Sequence, residues 1–240
     1  MMTCAMLLVS CKKDTTTTSS DFDNVGGTYM NPSDQSAIIV LGTYAGENDT
    51  INTVSSSGSA LFKNTSSGLQ NGQVESLNIT INEGIFSWSW LFGAYIFTYT
   101  AHDIGNQPVT YNIVGAGDLA SATVTNGVWP GYPIITSGNS VTKSSGHTVT
   151  LASEVANAER ILVEFKAPDA SGSEVVVAAK MFEGNATSLA FSASDLKCIP
   201  SGATYGGIAV HALHRFSTTV AGKTYYFWHY RRMLQHITIQ

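Results

Sequence analysis

The chain has little charge for its size. Only 12% of its 240 residues are Asp, Glu, Lys or Arg, whereas 43% are apolar and 10% are aromatic. Soluble domains usually carry about 25% charged residues. The surface must therefore be covered mainly by Ser, Thr, Asn and Gly, a composition common in extracellular all-β proteins. Beyond the N-terminus, no stretch qualifies as a transmembrane helix, which needs roughly 20 apolar residues.

The few charges are unevenly distributed. Residues 21–142 hold nine acidic residues and one basic residue, Lys63, for a net charge of −8. Residues 143–240 hold nine basic and seven acidic residues, for a net charge of +2, and no acidic residue follows Asp195. The acidic first half argues against nucleic acid as a partner, and the contrast indicates two separately composed domains.

Cysteine is also scarce, and one of its three positions follows a short apolar run. The run ends in Leu8-Val9-Ser10-Cys11, and Lys12-Lys13-Asp14 comes directly after it. This pattern resembles a bacterial lipobox, in which a signal peptidase cuts before the cysteine and lipid is attached to that residue. Residues 1–9 are too few to span a bilayer, but they match the ~7–15 residue apolar core of a signal peptide.

The resemblance implies a signal peptide over residues 1–10 and a lipid on Cys11 that makes the membrane a partner of the protein. Lys12-Lys13-Asp14 is similar to the export tags of Bacteroidetes-type surface lipoproteins. The implied location is therefore the outer membrane of a Gram-negative bacterium, with the protein exposed at the cell surface. The positively charged start of such signals is missing, so either translation begins upstream or the signal is weak.

Processing of this kind would leave no internal disulfide in the mature chain. Cys4 would leave with the signal and Cys11 would carry lipid, so Cys198 would have no partner. With Lys197 as its only nearby cation in the sequence, Cys198 is expected to be a small buried apolar residue rather than a nucleophile.

After the cysteine, the sequence predicts a tether and then an all-β fold. Residues 11–24 are rich in hydroxyl groups and have nothing to bury, which predicts a disordered tether. The fold class is expected to be two Ig-like or related β-sandwiches in tandem, an acidic domain over 25–136 and a C-terminal domain over 137–240. Residues 54–58 are expected to form a turn and residues 153–159 a short helix. The predicted strands are 37–44, 59–64, 75–82, 86–92, 95–102, 109–114, 120–128, 148–153, 160–167, 174–182, 188–192, 208–216, 224–234 and 236–239.

The last hairpin is the element whose turn and register the sequence predicts in most detail. Ala221-Gly222 fits a two-residue turn, with Val220 and Lys223 closing it. Directly opposed residues in such a hairpin have Cβ atoms about 5 Å apart, so their side chains should touch. The register places Phe216 opposite Phe227, Arg215 opposite Trp228, His214 opposite His229, Leu213 opposite Tyr230 and His211 opposite Arg232.

Two further expectations come from this hairpin. Arg215 over Trp228 would make a cation–π contact. The stretch that begins Gly222-Lys223 and continues Thr-Tyr-Tyr-Phe resembles the closing hairpin of Ig-like domains in Bacteroidetes-type lipoproteins. That resemblance spans residues 188–240 and implies an Ig-like fold, and the family has no assigned activity to carry over.

Signatures of catalysis and of cofactor binding are missing from the sequence. It contains no Gly-x-Ser-x-Gly, Walker A, His-Glu-x-x-His or Cys-x-x-Cys motif. His214 and His229 form the only two-ligand arrangement that the register predicts, and a zinc site needs three or four ligands. They are weak metal candidates, because Arg231 on the same strand face would repel a cation. We therefore expect no enzyme activity, no cofactor and no metal. A histidine pair this close would also act as a mild pH sensor.

An aromatic run is the better functional lead. Phe86, Trp88, Trp90 and Phe92 would lie on one strand face, with Ser87 and Ser89 on the other, and Tyr95, Phe97 and Tyr99 follow Gly93. Burial in a core is the simplest fate of such rings, since each contributes about 1.5–3 kcal/mol when fully buried. The alternative is a platform on which flat rings stack against sugars. The candidate ligand-binding residues are Trp88, Trp90, Tyr95 and Tyr99.

These observations predict a non-catalytic cell-surface lipoprotein that binds an extracellular ligand, such as a glycan or a protein partner. A different class is a structural or adhesive subunit. Fimbrillin-like lipoproteins also consist of two β-sandwiches and polymerise by strand exchange, which requires an open groove at the first strand or at the final strand, 236–239. A third class is the scaffold of an outer-membrane complex.

Overall fold

The computed structural model describes part of the chain in detail. The predicted signal peptide, Cys11, the tether and Trp90 lie outside that part, and at several positions before residue 107 only the backbone is described. The described residues are 29, 35–47, 55–64, 68–69, 78–81, 84–89, 94–100, 104–115 and 119–240.

The described residues are all-β, which confirms the predicted all-β class. None of them lies in an α-helix, and no helix among them is long and apolar enough to cross a membrane. A 3₁₀ helix covers Ile104–Asn106. The strands are β1 (Gln35–Glu47), β2 (Ser55–Asn64), β3 (Gly68–Leu69), β4 (Asn78–Ile81), β5 (Gly84–Ser89), β6 (Ala94–Thr100), β7 (Val109–Val114), β8 (Ala122–Asn126), β9 (Ser140–Val141), β10 (His147–Thr150), β11 (Arg160–Pro168), β12 (Glu174–Glu183), β13 (Ser188–Phe191), β14 (Tyr205–Val220) and β15 (Lys223–Ile239).

Two local predictions are wrong. The predicted turn at 54–58 falls largely within β2, because Ser55 to Gly58 pair with β1 on one side and β6 on the other. Pairing on both edges overrides the weak strand preference of Ser and Gly. The predicted helix at 153–159 is a bend and a turn instead. Asn157 there adopts a φ of 57° and donates a hydrogen bond from Nδ2 to the Trp129 carbonyl at 3.1 Å.

Thirteen strands form one sheet. Its order is β12-β11-β14-β15-β1-β2-β6-β5-β4-β7-β8, with β3 beside β2 and β9 beside the end of β15. Strands β10 and β13 form a separate two-stranded sheet. Strand β1 lies between β15, to which it is parallel, and β2, to which it is antiparallel.

The long hairpin of β14 and β15 has the predicted register. Every predicted pair, from Phe216 with Phe227 to His211 with Arg232, is present. Ala221 and Gly222 both have positive φ, 50° and 75°, which is the backbone of a type I′ turn. The predicted strands 224–234 and 236–239 are one continuous strand, β15.

One core lies between the base of this hairpin and the small sheet. Phe165 of β11 and Phe191 of β13 meet edge to face, with ring centroids 4.7 Å apart. Because β10 and β13 cover the sheet formed by β11, β14 and β15, this part is a β-sandwich. The hairpin contributes Ile208, Val210, Ala212, Met233, Ile237 and Ile239 to this core.

A second core lies at the tip of the same hairpin. Tyr111 of β7 and Phe227 of β15 have ring centroids 4.8 Å apart, although five strands separate β7 from β15 in the sheet order. The sheet therefore curls until β7 packs face to face against β1 and β15. This core includes Ala37, Ile39, Leu41, Val109, Ile113, Trp129 and Tyr225.

The two cores thus share one hairpin, whereas the predicted division at residue 137 assigns it to the C-terminal domain alone. The number of domains stays a prediction. Cys198 is disulfide-bonded, and its partner lies outside the described residues. The expectation of a buried and unpaired Cys198 is therefore wrong for the full chain, in which this residue is half-buried and disulfide-bonded.

The shared hairpin predicts that both cores unfold together. Phe165→Ala and Phe227→Ala each remove a fully buried ring from a different core and should each lower the free energy of unfolding by about 3–5 kcal/mol. Differential scanning calorimetry of both variants should show one transition, moved to lower temperature. Two transitions, of which each variant moves only one, would contradict this account.

Candidate functional site

The aromatic residues that the sequence nominated lie mostly in a hairpin whose side chains are not described. Trp88 of β5 pairs with Tyr95 of β6, and Tyr99 pairs with Ser56 of β2. The predicted strands are thus present and antiparallel. Trp90 and the side chains of Trp88, Tyr95 and Tyr99 lie outside what the structure describes, so their assignment to core or surface stays a prediction.

His229, one of the weak metal candidates, uses both ring nitrogens within the fold. Its Nδ1 donates a hydrogen bond to the Val128 carbonyl at 2.8 Å, and its Nε2 accepts one from the Tyr111 hydroxyl at 2.8 Å. Trp129 stacks on the ring with centroids 4.1 Å apart. Both nitrogens are therefore committed, and a metal could bind only if one of these bonds broke.

His214 lies opposite His229, as predicted. Its Nδ1 is 3.8 Å from Glu159 Oε1. Within the described ranges, no group of three or more His, Cys, Asp or Glu residues is arranged to hold a metal ion. The pair is better described as packed around the second core than as a ligand set.

A different set of polar residues converges on the other face of the hairpin, beginning at Gly42. A Cβ atom at this position would lie 2.0 Å from Cζ of Tyr230, so only glycine leaves room for the tyrosine ring over β1. The ring of Tyr230 meets that of Tyr44 edge to face, with centroids 5.6 Å apart. The missing side chain at position 42 thus lets two tyrosine rings meet above the sheet.

The hydroxyls of these tyrosines continue into a hydrogen-bonded chain. Ser57 Oγ donates to the Tyr44 hydroxyl at 2.9 Å, and the hydroxyls of Tyr44 and Tyr230 are hydrogen-bonded to each other. Burial, and then the neighbouring Tyr44, raise the pKa of Tyr230 well above its ordinary value. The Tyr230 hydroxyl therefore stays protonated at neutral pH.

Arg232 completes this set, which we call the tyrosine–arginine cluster: Tyr44, Ser57, Tyr230 and Arg232. Its guanidinium lies 5.6 Å from the centroid of the Tyr44 ring. Arg232, Tyr44 and Ser57 are half-buried, so solvent still reaches the cluster, while Tyr230 is buried. The cluster combines a flat ring, hydroxyls and a cation at one accessible place.

Behind the cluster lies a buried ionisable pair, Glu164 and His211. His211 Nε2 is 3.2 Å from Glu164 Oε2, and Lys166 Nζ is 3.8 Å from the same oxygen. Burial raises the pKa of Glu164, but His211, Lys166 and Arg232 outweigh burial and hold it below its ordinary value. Burial lowers the pKa of His211 by more than Glu164 raises it. At neutral pH the carboxylate is ionised and accepts a hydrogen bond from a neutral imidazole.

A second group of rings and guanidiniums, the Tyr29 stack, lies toward the hairpin tip on the same face. Arg215 lies 4.6 Å from the centroid of the Tyr29 ring and 5.5 Å from that of Tyr226. Arg215 pairs with Trp228 as predicted, but the predicted cation–π contact between them is wrong, because Trp228 is fully buried and the guanidinium lies over Tyr29 and Tyr226 instead. The guanidinium of Arg160 also lies near Tyr29, 5.4 Å from the centroid of its ring. Tyr29, Arg160, Arg215 and Tyr226 are all half-buried.

The sequence analysis did not predict the tyrosine–arginine cluster or the Tyr29 stack, although the sequence contains two relevant signals. Glu164 and His211 each interrupt an otherwise apolar strand, and a buried polar residue in mid-strand needs a partner. The predicted register placed His211 opposite Arg232, on the face away from His214. The contact of Tyr44 with Tyr230 depends on the parallel pairing of β1 with β15, for which the sequence contains no signal.

The strand-exchange alternative requires an open groove at the first or the last strand, and the pairing of both strands bears on it. Strand β1 is paired with β15 on one side and with β2 on the other. The end of β15 is paired with β14, and on its other side Thr238 and Ile239 pair with Ser140 and Val141 of β9. Neither strand borders an open groove within the described part of the chain.

No protein-family model matches the chain, and no curated protein is significantly similar to it.

The environment of His229 predicts a loss of stability in mild acid. Burial, and in smaller part the nearby His214, lower the pKa of His229 from 6.5 to about 4, against the Val128 hydrogen bond. The unfolded chain therefore binds the proton more readily, and stability falls as the pH drops from about 6.5 towards 4. His229 alone should cost about 2 kcal/mol of unfolding free energy between pH 7 and pH 5.

Urea unfolding at pH 7 and at pH 5 measures this effect. His229→Gln should be less stable at pH 7 but should lose about 2 kcal/mol less than the wild type between the two pH values. His236→Gln, at an exposed position of the same strand, is the matched control and should keep the full pH dependence. Equal pH dependence in His229→Gln and the wild type would contradict the assignment.

Proposed function

We propose that the protein is a non-catalytic lipoprotein of the bacterial cell surface that binds an extracellular glycan. The lipid on Cys11 would hold it to the outer membrane, and the face of the sheet that carries the tyrosine–arginine cluster and the Tyr29 stack would bind the sugar. The observation that carries the proposal is this row of half-buried tyrosine rings beside hydroxyls and guanidiniums.

The chemistry of this face suits a saccharide. Tyrosine rings provide flat apolar surface with a polar end, and sugars present apolar ring faces bordered by hydroxyls. Tyr226 and Arg232 are six residues apart in β15, which corresponds to about 20 Å along the strand. A surface of that length fits an oligosaccharide better than a single sugar.

The non-catalytic part of the proposal is supported by how the polar groups are used. Both ring nitrogens of His229 are hydrogen-bonded, one to Val128 and one to Tyr111. Glu164 is buried against His211 and Lys166. General acid–base catalysis needs a titratable group within hydrogen-bond reach of a substrate. These groups bond to the protein instead.

The adhesive alternative, a fimbrillin-like subunit, receives less support. Polymerisation by strand exchange needs an unpaired edge beside an open groove, and β1 and the end of β15 are each paired on both sides. The scaffold alternative would use the same face or another for a protein partner. Glycan binding is preferred because of the half-buried rings and hydroxyls of this face.

Glycan binding predicts a saturable response to a soluble polysaccharide. We would titrate the full-length chain with a panel of polysaccharides and follow tryptophan fluorescence, because Trp228 lies 5.8 Å from Tyr226 between ring centroids. Tyr226→Ala should weaken binding about tenfold by removing a stacking ring. Tyr205→Ala, which removes a tyrosine that is 55% exposed at the far end of β14, should bind like the wild type.

Trp88→Ala separates the two candidate locations. If it abolishes binding in a folded chain while Tyr226→Ala has no effect, the glycan binds at the aromatic hairpin that the sequence nominated. If no polysaccharide of the panel changed the tryptophan fluorescence of the wild type, glycan binding would be contradicted.

Membrane anchoring predicts that Cys11 carries the lipid. In a Gram-negative host fed a radiolabelled fatty acid, the wild type should be labelled and should fractionate with membranes. Cys11→Ala should lose both properties, because a single residue supplies the attachment. Cys4→Ala, which changes a cysteine upstream of the expected cut, is the matched control and should be labelled normally. Labelling that survives in Cys11→Ala would exclude this lipidation site.

A further inference from the structure

We propose that the glycan carries an anionic group and that Arg232 binds it. The inference rests on the proposed function and adds the substrate class, an acidic saccharide bearing a carboxylate or a sulfate. The shared chemistry is an oxyanion with two or more acceptor oxygens in a plane that a guanidinium can match.

The guanidinium of Arg232 has hydrogen-bond donors that are not used within the described part of the chain. In the described part of the chain, no carboxylate lies within 4.0 Å of its guanidinium. Its Nε is buried and has no hydrogen-bond partner. The Arg232 side chain as a whole is half-buried, so an incoming ligand oxygen would bind the terminal nitrogens of the guanidinium and not the buried Nε. Arg160, by contrast, is 2.6 Å from Glu183.

The charge around Arg232 favours an anion. Glu164 contributes one negative charge, Lys166 and Arg232 contribute one positive charge each, and His211 is neutral at pH 7. The net charge of these described side chains is therefore +1, in a half-buried setting where water screens it incompletely. No acidic residue follows Asp195 in the sequence, so the hairpin itself adds no competing carboxylate.

The neighbours of Arg232 would orient such a ligand. The Tyr44 ring lies beneath the guanidinium, and hydrogen bonding among Tyr44, Ser57 and Tyr230 fixes that ring in place. Planar guanidiniums bind carboxylates and sulfates through two parallel N–H···O bonds, and lysine cannot reproduce this geometry. The sugar ring would then extend from Tyr44 along β15 towards Tyr226.

The test compares three size-matched oligosaccharides: one neutral, one with a uronic acid and one with a sulfate ester. Binding to the full-length wild type is measured by fluorescence titration or calorimetry. At least one acidic saccharide should bind about tenfold or more tightly than the neutral one, and added salt should weaken it. The acidic arm that binds identifies the group as carboxylate or sulfate.

Variants at position 232 locate the contact. Arg232→Met should weaken acidic binding about 10- to 100-fold and should abolish the preference for the acidic over the neutral saccharide, and Arg232→Lys should restore only part of that preference. Arg231→Met removes the next arginine, which lies over Tyr132 on the opposite face, and should bind like the wild type. Thermal unfolding of each variant checks that the fold is intact.

Each remaining outcome has a separate meaning. Neutral binding as tight as acidic binding, or acidic binding that persists in folded Arg232→Met, would overturn this inference and leave glycan binding standing. If no saccharide binds the wild type, the proposed function fails and the inference fails with it.

Discussion

The pairing of β14 with β15 is the interaction on which the rest of the structure depends. Sixteen cross-strand pairs run from Val220 and Lys223 at the turn to Tyr205 and Thr238 at the base. Near the base, β14 pairs with β11 and the hairpin packs against the small sheet. Near the tip, β15 pairs with β1 and packs against β7. Two cores with different partners are thereby joined by one pair of strands.

The same strand also positions the candidate site. Side chains alternate between the two faces of a strand, so Tyr225, Phe227 and His229 enter the second core while Tyr226, Tyr230 and Arg232 lie on the other face. Gly42 then allows Tyr230 to lie across β1 and reach Tyr44. Core packing and the proposed ligand face are therefore coupled through a single strand, and a change at one is expected to be felt at the other.

Features of the fold that are fixed by residues close together in the sequence could be predicted, whereas features that depend on distant segments could not. The Ala221-Gly222 turn fixes the hairpin register, so the pairs His214 with His229 and His211 with Arg232 followed from sequence alone. The parallel pairing of β1 with β15 joins segments almost 190 residues apart, and no turn specifies it. The cluster of Tyr44, Tyr230 and Arg232 depends on that pairing and was missed. Ser55 to Gly58 were taken for a turn because composition favours turns there, whereas pairing on both edges makes them a strand.

Native-state hydrogen exchange tests the central claim, that one hairpin joins both cores, most directly. The account predicts that amides near the tip, such as those of Phe216 and Phe227, and amides near the base, such as those of Val210 and Met233, exchange only through global unfolding, with the same free energy of opening. If the tip amides exchanged through an opening of lower free energy that left the base amides protected, the two cores would be independent. The hairpin would then not be the element that unites them.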